Sequence, residues 1–436
     1  MVKIKPIMQL FGTSGIRAIA DEELARLAFK VGLAVGNAYR KIVVGGDTRT
    51  STEAIKHAFT SGVLLAGGNC HDAGIIPTPT VGFIAREFDA GVMITASHNP
   101  PEYNGLKLFN PDGSAFDARQ RQQIEEAVLS HSGKTASWDE KQHCQPYERA
   151  VEQHIERIRQ DFPAQLNLKV VVDSGCGATS LITPDVLTQM GCEVVAMNCY
   201  YSGLFPRDAE PIEANLGDLI GTTRKLGADL GIAHDGDGDR MMVVDEKGRF
   251  VPGDILMSIF ALELGSKDIV TTIDASMSIE ESGLKVKYTK VGDTYVSEEL
   301  REGGDFGGEP SGSWIFPRIS LCPDGVYAAA QITTIASQHK LSSLVDDMPQ
   351  YPLIRGGISS NGMVLSNLEQ QLMTMKPFQV SNIDGIKLKF EDGWLLVRPS
   401  GTEPKIRITA EAKSEKQIRL LYDSAVSVLQ AAMREK

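Results

Sequence analysis

The densest chemistry in the chain lies at Asp235-Gly-Asp-Gly-Asp-Arg240, where three carboxylates alternate with glycines directly after the apolar run Leu230–His234. The glycines allow a tight loop that aims Asp235, Asp237 and Asp239 at one centre. Carboxylates that close repel one another unless a cation neutralises them. An all-oxygen site suits a hard ion, and Mg2+ commonly completes its octahedron with phosphate oxygens. An acidic turn without metal would use the same residues. A D-x-D-x-D run also opens an EF-hand loop, and Glu246 falls at the twelfth place of one. The sixth place of such a loop must be glycine and is Arg240, and the flanks read as strands, so the EF-hand is excluded.

Ser97 stands in Thr95-Ala-Ser-His-Asn-Pro100, at the end of an apolar run and in a turn forced by Pro100 and Pro101. A serine exposed there could act as a nucleophile or carry a phosphoryl group. His98 is adjacent, but chain neighbours rarely face each other, and no G-x-S-x-G elbow surrounds the serine. A plain Ser/Asn turn is the competing reading. Lys107 is close enough in sequence to share the site, although most lysines lie on the surface.

Three further loops carry candidate binding groups. In Arg398-Pro-Ser-Gly-Thr-Glu-Pro-Lys-Ile-Arg407, the residues Ser400, Gly401 and Thr402 offer backbone N–H groups and two hydroxyls, and Arg398 adds a bidentate grip. Those are the parts of a phosphate cradle, though not of a Walker loop, whose GKS/T ending is missing. A β-turn between strands over 393–397 and 406–410 fits the same residues. Gly308-Glu-Pro-Ser-Gly312 puts Glu309 and Ser311 in a loop that suits paired sugar hydroxyls. Phe11-Gly-Thr-Ser-Gly-Ile-Arg17 is a Gly-rich loop ahead of a helix expected over 21–40. Each of these also suits an ordinary loop.

Such loops need scaffolds. Short β-rich runs at 41–44, 91–95, 169–172, 230–234 and 269–273 each end in polar, Gly-rich or acidic residues. Helical stripes follow, such as 51–66, with Ile55, Ala58, Phe59, Val63 and Ala66 on one face, and 183–190, stopped by Gly191. Strand–helix alternation predicts a parallel-rich sheet wrapped by helices, and open α/β sheets hold ligands at the C-terminal ends of their strands. A polar linker at 130–145, a break at Pro252-Gly253 and a hinge at 350–357 divide the chain into 1–150, 151–252, 253–352 and 353–436. The last unit ends in a helix over 414–433.

The chain of 436 residues is too long for one ordinary domain. Its net charge of -12 argues against a general nucleic-acid binder, yet leaves room for a phosphorylated small molecule held by local cations. No apolar run approaches the ~20 residues that span a bilayer. The first ten residues carry no secretory pattern, so a cytoplasmic location is expected. Six cysteines without a C-x-x-C pair make a zinc knuckle or a thioredoxin-type site an unsuitable reading.

Taken together and in this order, FGTSGIR, TASHNP, DGDGDR, GEPSG and RPSGTEPKIR resemble the α-D-phosphohexomutase superfamily along the whole chain. The resemblance implies an α/β protein of three similar α/β domains with mixed sheets plus a smaller C-terminal α+β domain around a central cleft. It implies a phosphorylated Ser97 that donates to the free hydroxyl of a hexose phosphate. Mg2+ would be held by Asp235, Asp237, Asp239 and a phosphoserine oxygen on Ser97. Arg17 and Lys107 would flank the reacting centre, with His98 beside the serine and Lys107 similar to the family's proton-transfer residue. A hexose bisphosphate would serve as intermediate and activator. Arg398, Ser400, Gly401, Thr402 and Arg407 would hold the distal phosphate, Glu309 and Ser311 the sugar hydroxyls, and Arg240 and Lys290 would add positive charge.

Several bacterial relatives carry histidine where this chain has Ser313. GEPSG, with Val291-Gly-Asp-Thr-Tyr-Val296 upstream, is most similar to the archaeal phosphoglucosamine mutase group. The expected reaction is therefore glucosamine 6-phosphate to glucosamine 1-phosphate, with glucose or mannose phosphates as the alternative. A magnesium-dependent sugar phosphatase and a non-catalytic sugar-phosphate sensor are the alternatives of another class. The first needs no second phosphate cradle, and the second has no need of Ser97 or of an intact aspartate loop. The expected partners are a phosphorylated hexose or hexosamine, with no nucleic acid and no membrane. Self-association stays open.

Overall fold

A computed structural model describes residues 10–130, 132–140, 142–266, 268–359, 368–399 and 405–434. Among these residues the strands form four sheets. The first has the order Ile16–Ile19, Tyr103–Phe109, Ala90–Ile94, Lys41–Gly46, Asn69–Ile75, Gln145–Pro146. Its last four strands run parallel and its first two pair antiparallel. The second sheet is built on Lys169–Asp173, with Glu193–Met197 and Leu230–His234 parallel on either side. Met241–Asp245 and Phe250–Val251 extend it antiparallel. In the third, Asp268–Thr272 lies parallel to Lys285–Thr289 and Phe306–Gly308, and Trp314–Ile315 closes the edge antiparallel.

The central strands are apolar almost throughout. Ile42, Val43 and Val44, and Val170, Val171 and Val172, are fully buried, as expected where helices cover both faces of a parallel sheet. The helices begin where local chemistry allows. Asp21 caps Glu22–Ala38 by accepting from the N–H groups of Glu23 and Leu24, and Asp324 caps Gly325–Gln338 by accepting from Tyr327 N–H.

The fourth sheet is wholly antiparallel, in the order Leu353–Ser359, Lys405–Ala412, Gly393–Pro399, Ile386–Phe390, Gln379–Ser381, and the helix Glu415–Arg434 packs on it. The expected hinge at 350–357 needs correction here. From Leu353 onward it is a strand paired residue for residue with Glu411 back to Lys405. Its glycines serve close approach: a Cβ on Gly356 would lie 2.0 Å from the Tyr422 hydroxyl, and one on Gly357 2.8 Å from the Ile406 carbonyl.

One hydrophobic core runs through the first three sheets, joining Val43 and Phe83 to Val170 and Leu230 and on to Phe260, Phe306 and Trp314. The fourth unit has its own core around Leu388, Leu395 and Ile408. It touches the third unit through a small cluster of Ile273, Trp394 and Leu396. The active-site loops of the first three units thus share one packed frame, while the fourth is joined by a narrower contact.

Candidate active site

Ser97 follows the strand Ala90–Ile94 and is buried. Its φ of 53° lies in the left-handed region, which a non-glycine residue adopts at a cost of about 1 kcal/mol or more. The turn is held by Thr95 Oγ1, which accepts from Ser97 N–H at 2.8 Å. Chain neighbours rarely face each other, but this conformation brings Ser97 Oγ to 3.3 Å from His98 Nδ1. Burial, reinforced by Arg240, Arg17 and Lys107, pushes the His98 imidazole down to about 2, so the ring is neutral and a weak base.

The aspartate loop follows Leu230–His234 and meets the serine loop head on. A Cβ on Gly236 would lie 2.7 Å from the Ser97 carbonyl, so only glycine allows this approach. Ser97 Oγ donates to Asp235 Oδ2 at 2.7 Å. One carboxylate oxygen from each of Asp235, Asp237 and Asp239 lies within 4.8 Å of the others, and all three residues are buried. Lys107 is buried too, contrary to the usual lysine. It donates to Asp237 Oδ2 at 2.7 Å and to Asp239 Oδ2. Burial opposes the charge on Lys107, but Asp237 and Asp239 outweigh it and hold the ammonium protonated.

Asp237 Oδ1 and Asp239 Oδ1 are buried and have no hydrogen-bond partner among the described residues. Burial, then the charges of its two neighbours, pushes the Asp235 carboxyl well up. Buried orphan carboxylate oxygens grouped in this way are what a hard divalent ion satisfies, so the residues present fit Mg2+.

Around this centre, Arg17 donates from Nη1 to Asn99 Oδ1 at 2.9 Å, while its buried Nε has no partner among the described residues. Arg240 N–H donates to Asp235 Oδ1 at 3.2 Å, and its guanidinium pairs with Glu210 at 3.1 Å. Glu309 follows the strand Phe306–Gly308, is buried, and accepts from Gly292 N–H at 2.9 Å. Burial, with the Asp293 charge behind it, pushes its carboxyl up to about 8.

Four family descriptions match in succession. Phosphoglucomutase/phosphomannomutase alpha/beta/alpha domain I covers residues 8–134, domain II 145–248, domain III 252–351, and the C-terminal domain 364–427. The chain belongs to the phosphoglucomutase/phosphomannomutase family. A probable phosphoglucosamine mutase of Methanocella arvoryzae is 45% identical, over 97% of this chain and 98% of that protein. A phosphoglucosamine mutase of Methanococcus maripaludis is 39% identical, over 98% and 100%. Among solved structures, a phosphoglucomutase/phosphomannomutase family protein of Burkholderia thailandensis superposes with a TM-score of 0.89. It has 27% identity and 98% of each chain is covered.

Within this phosphoglucomutase/phosphomannomutase frame, the structure brings Ser97, His98, Lys107, Arg17, Arg240 and the three aspartates into one neighbourhood. The other expected residues are more dispersed. Ser311, Lys290 and Arg407 are exposed, and the Lys290 ammonium sits 5.6 Å from the Tyr295 ring centroid. Arg398 pairs with Asp384 at 2.7 Å and keeps a buried Nε without a partner among the described residues. Ser400, Gly401 and Thr402 lie outside the described residues.

Sequence reasoning missed a pair behind the serine. Arg49 and Asp47, both with fully buried side chains, are joined at 3.0 Å. The Arg49 guanidinium also donates to the carbonyls of Ser97 (2.8 Å), Asn99 (2.7 Å), Pro100 (2.6 Å) and Tyr103 (2.9 Å). Asp47 in turn accepts from Thr95 Oγ1 at 2.7 Å and Thr52 Oγ1 at 2.8 Å. The only signal available was a polar Asp-Thr-Arg after a β-rich run, and nothing local linked it to residues fifty positions away.

Proposed function

We propose that this chain is a magnesium-dependent phosphohexomutase that interconverts glucosamine 6-phosphate and glucosamine 1-phosphate through a phosphorylated Ser97. The observation that carries the reading is the contact of Ser97 Oγ with Asp235 inside a buried trio of carboxylates. A hydroxyl in that position can carry a phosphoryl group beside a site suited to a hard cation. The glucosamine choice rests on the names of relatives that are 39% and 45% identical over nearly the whole chain.

Ser97, Asp235, Asp237 and Asp239 would hold Mg2+, which when bound would neutralise charge on the phosphoryl oxygens. The chain's own groups do the rest. The Asp47–Arg49 pair fixes the serine loop, so that the phosphoryl group meets the sugar in one orientation. Lys107, held protonated, is placed to hand a proton to the oxygen that the phosphoryl group leaves, and only the amine so formed could take the proton of the reacting sugar hydroxyl. The Nε–H groups of Arg17 and Arg398, unpartnered among the described residues, are donors free for phosphate oxygens at the two ends of the substrate. Glu309 accepts from sugar hydroxyl or ammonium groups. A hexose bisphosphate formed by the first transfer would turn over before Ser97 takes back the other phosphoryl group.

The test is kcat/KM with Mg2+ and a trace of glucose 1,6-bisphosphate on glucosamine 6-phosphate, glucose 1-phosphate and mannose 1-phosphate. Preference for glucosamine 6-phosphate is expected. Preference for glucose or mannose phosphate would overturn the choice of sugar, and release of inorganic phosphate without isomerisation would overturn the mutase reading.

A further inference from the structure

The strands Asn69–Ile75 and Gln145–Pro146 run parallel at the edge of the first sheet, with His71 opposite Gln145 and Asp72 opposite Pro146. One residue back along each chain, this register sets Cys70 opposite Cys144. Neighbours in a parallel pair stand roughly 4.8 Å apart, inside the ~4.4–6.8 Å between Cα atoms that a disulfide spans. The two thiols lie close enough for each to act on the other's titration. Their surroundings differ. Cys70 is buried in the first unit's core, whereas Cys144 is exposed. The contact with Cys70, helped by the Lys56 ammonium, brings the Cys144 thiol down to about 7. The same contact, together with burial, pushes Cys70 up, so Cys70 is the weaker acid of the two. Lys56 is itself paired with Glu53 and Asp72, the charged groups facing this corner.

We propose that Cys144 and Cys70 form a peroxide-sensitive dithiol–disulfide site, with Cys144 as the attacking and Cys70 as the resolving thiol. The Cys144 thiolate attacks one oxygen of hydrogen peroxide. An S–O bond forms, the O–O bond breaks, and hydroxide leaves and takes up a proton as water. The Cys70 sulfur then attacks the Cys144 sulfenic acid. The S–S bond forms, the S–O bond breaks, and a second water leaves with the Cys70 proton. Two thiols are oxidised by two electrons and one peroxide is reduced to two waters. The new bond would close the segment that carries Ser97 and Lys107 into a covalent ring. The remaining cysteines, 176, 192, 199 and 322, are buried or half-buried and belong to other sheets or loops.

The experiment treats the full-length protein with a small excess of hydrogen peroxide, blocks residual thiols with N-ethylmaleimide and maps tryptic peptides by mass spectrometry. The expected product is one peptide pair linked through Cys70 and Cys144. It should be removed by dithiothreitol and absent from Cys144→Ser, whose substitution is at an exposed position. In Cys70→Ala, Cys144 should accumulate as sulfenic or sulfinic acid. Oxidation of Cys144 to sulfinic acid in the unsubstituted protein with Cys70 still a free thiol would overturn the proposal. A disulfide from Cys144 to any other cysteine, or a Cys144 that stays reduced while other cysteines oxidise, would also overturn it.

Discussion

Replacing Arg49 by lysine keeps its charge but removes its fork. The guanidinium makes five hydrogen bonds, one to Asp47 and four to the carbonyls of Ser97, Asn99, Pro100 and Tyr103. An ammonium has three donors, so at least two of the five acceptors lose theirs. At about 1.5 kcal/mol for each bond to a charged group, Arg49→Lys costs about 3 kcal/mol. Arg49→Ala costs roughly 3–5 kcal/mol, because Asp47 is left as a buried charge without its partner. The released carbonyls belong to the loop that presents Ser97. A displacement of about 1 Å there lowers phosphoryl transfer on the order of a hundredfold. The assay pairs thermal unfolding with the rate of phosphoserine formation from glucose 1,6-bisphosphate, followed by quenching and intact mass. Lys56→Met is the stability control. It removes a buried ammonium paired with Glu53 and Asp72 and should lower the midpoint while leaving kcat intact. An Arg49→Lys protein with unchanged midpoint and unchanged phosphorylation rate would refute the clamp. So would a loss of kcat that any equally destabilising variant reproduces.

Three shorter predictions concern other parts of the molecule. Burial lowers Lys387 to about 8 from 10.5, although its ammonium donates to the Ile273 carbonyl at 2.6 Å and lies 4.1 Å from the Trp394 ring centroid. Between those two values the unfolded chain binds more protons than the folded one. The Lys387 contribution to stability therefore rises with pH, by roughly 3 kcal/mol in all. The unfolding free energy of the unsubstituted protein minus that of Lys387→Met should climb from pH 8 to pH 10.5, and a flat difference contradicts the burial effect. Glu309→Gln preserves an acceptor for Gly292 N–H but replaces the carboxyl offered to the sugar by an amide. It should lower kcat/KM about tenfold or more, and unchanged values for all three sugar phosphates would remove Glu309 from the substrate site. Metal removal with EDTA should abolish turnover and Mg2+ should restore it. Asp237→Asn should need at least about tenfold more Mg2+ for half-maximal activity, and activity indifferent to EDTA would exclude the carboxylate trio as a metal site.

Much of the fold was legible because the strands that position the site are short apolar runs ended by polar loops. Leu230–His234 was read to the residue, and Lys41–Gly46, Ala90–Ile94 and Lys169–Asp173 to within two. The aspartate loop and the serine loop were legible as motifs for the same reason: their chemistry is contiguous in sequence. What was not legible is made by distant partners. Arg49 reaches carbonyls of residues 97–103, Arg240 reaches Glu210, and Arg398 reaches Asp384, none of which any local pattern marks. The segment 350–357, expected as a hinge, is a strand from Leu353 onward because its partners lie some fifty residues further along the chain. Its Gly356 and Gly357 serve to let Tyr422 and Ile406 come close. The Ser97–His98 contact was missed because a positive φ at a serine leaves no trace in composition.

The account stands on Ser97 as the phosphoryl carrier, and intact mass spectrometry of protein incubated with glucose 1,6-bisphosphate tests this most directly. The unsubstituted protein should gain one phosphate, mapped to Ser97, and lose it stoichiometrically to glucosamine 6-phosphate as isomerisation proceeds. Ser97→Ala should gain none and should fail to isomerise while still binding the sugar phosphate. Phosphate on any other residue, or near-normal turnover in Ser97→Ala, would contradict the account.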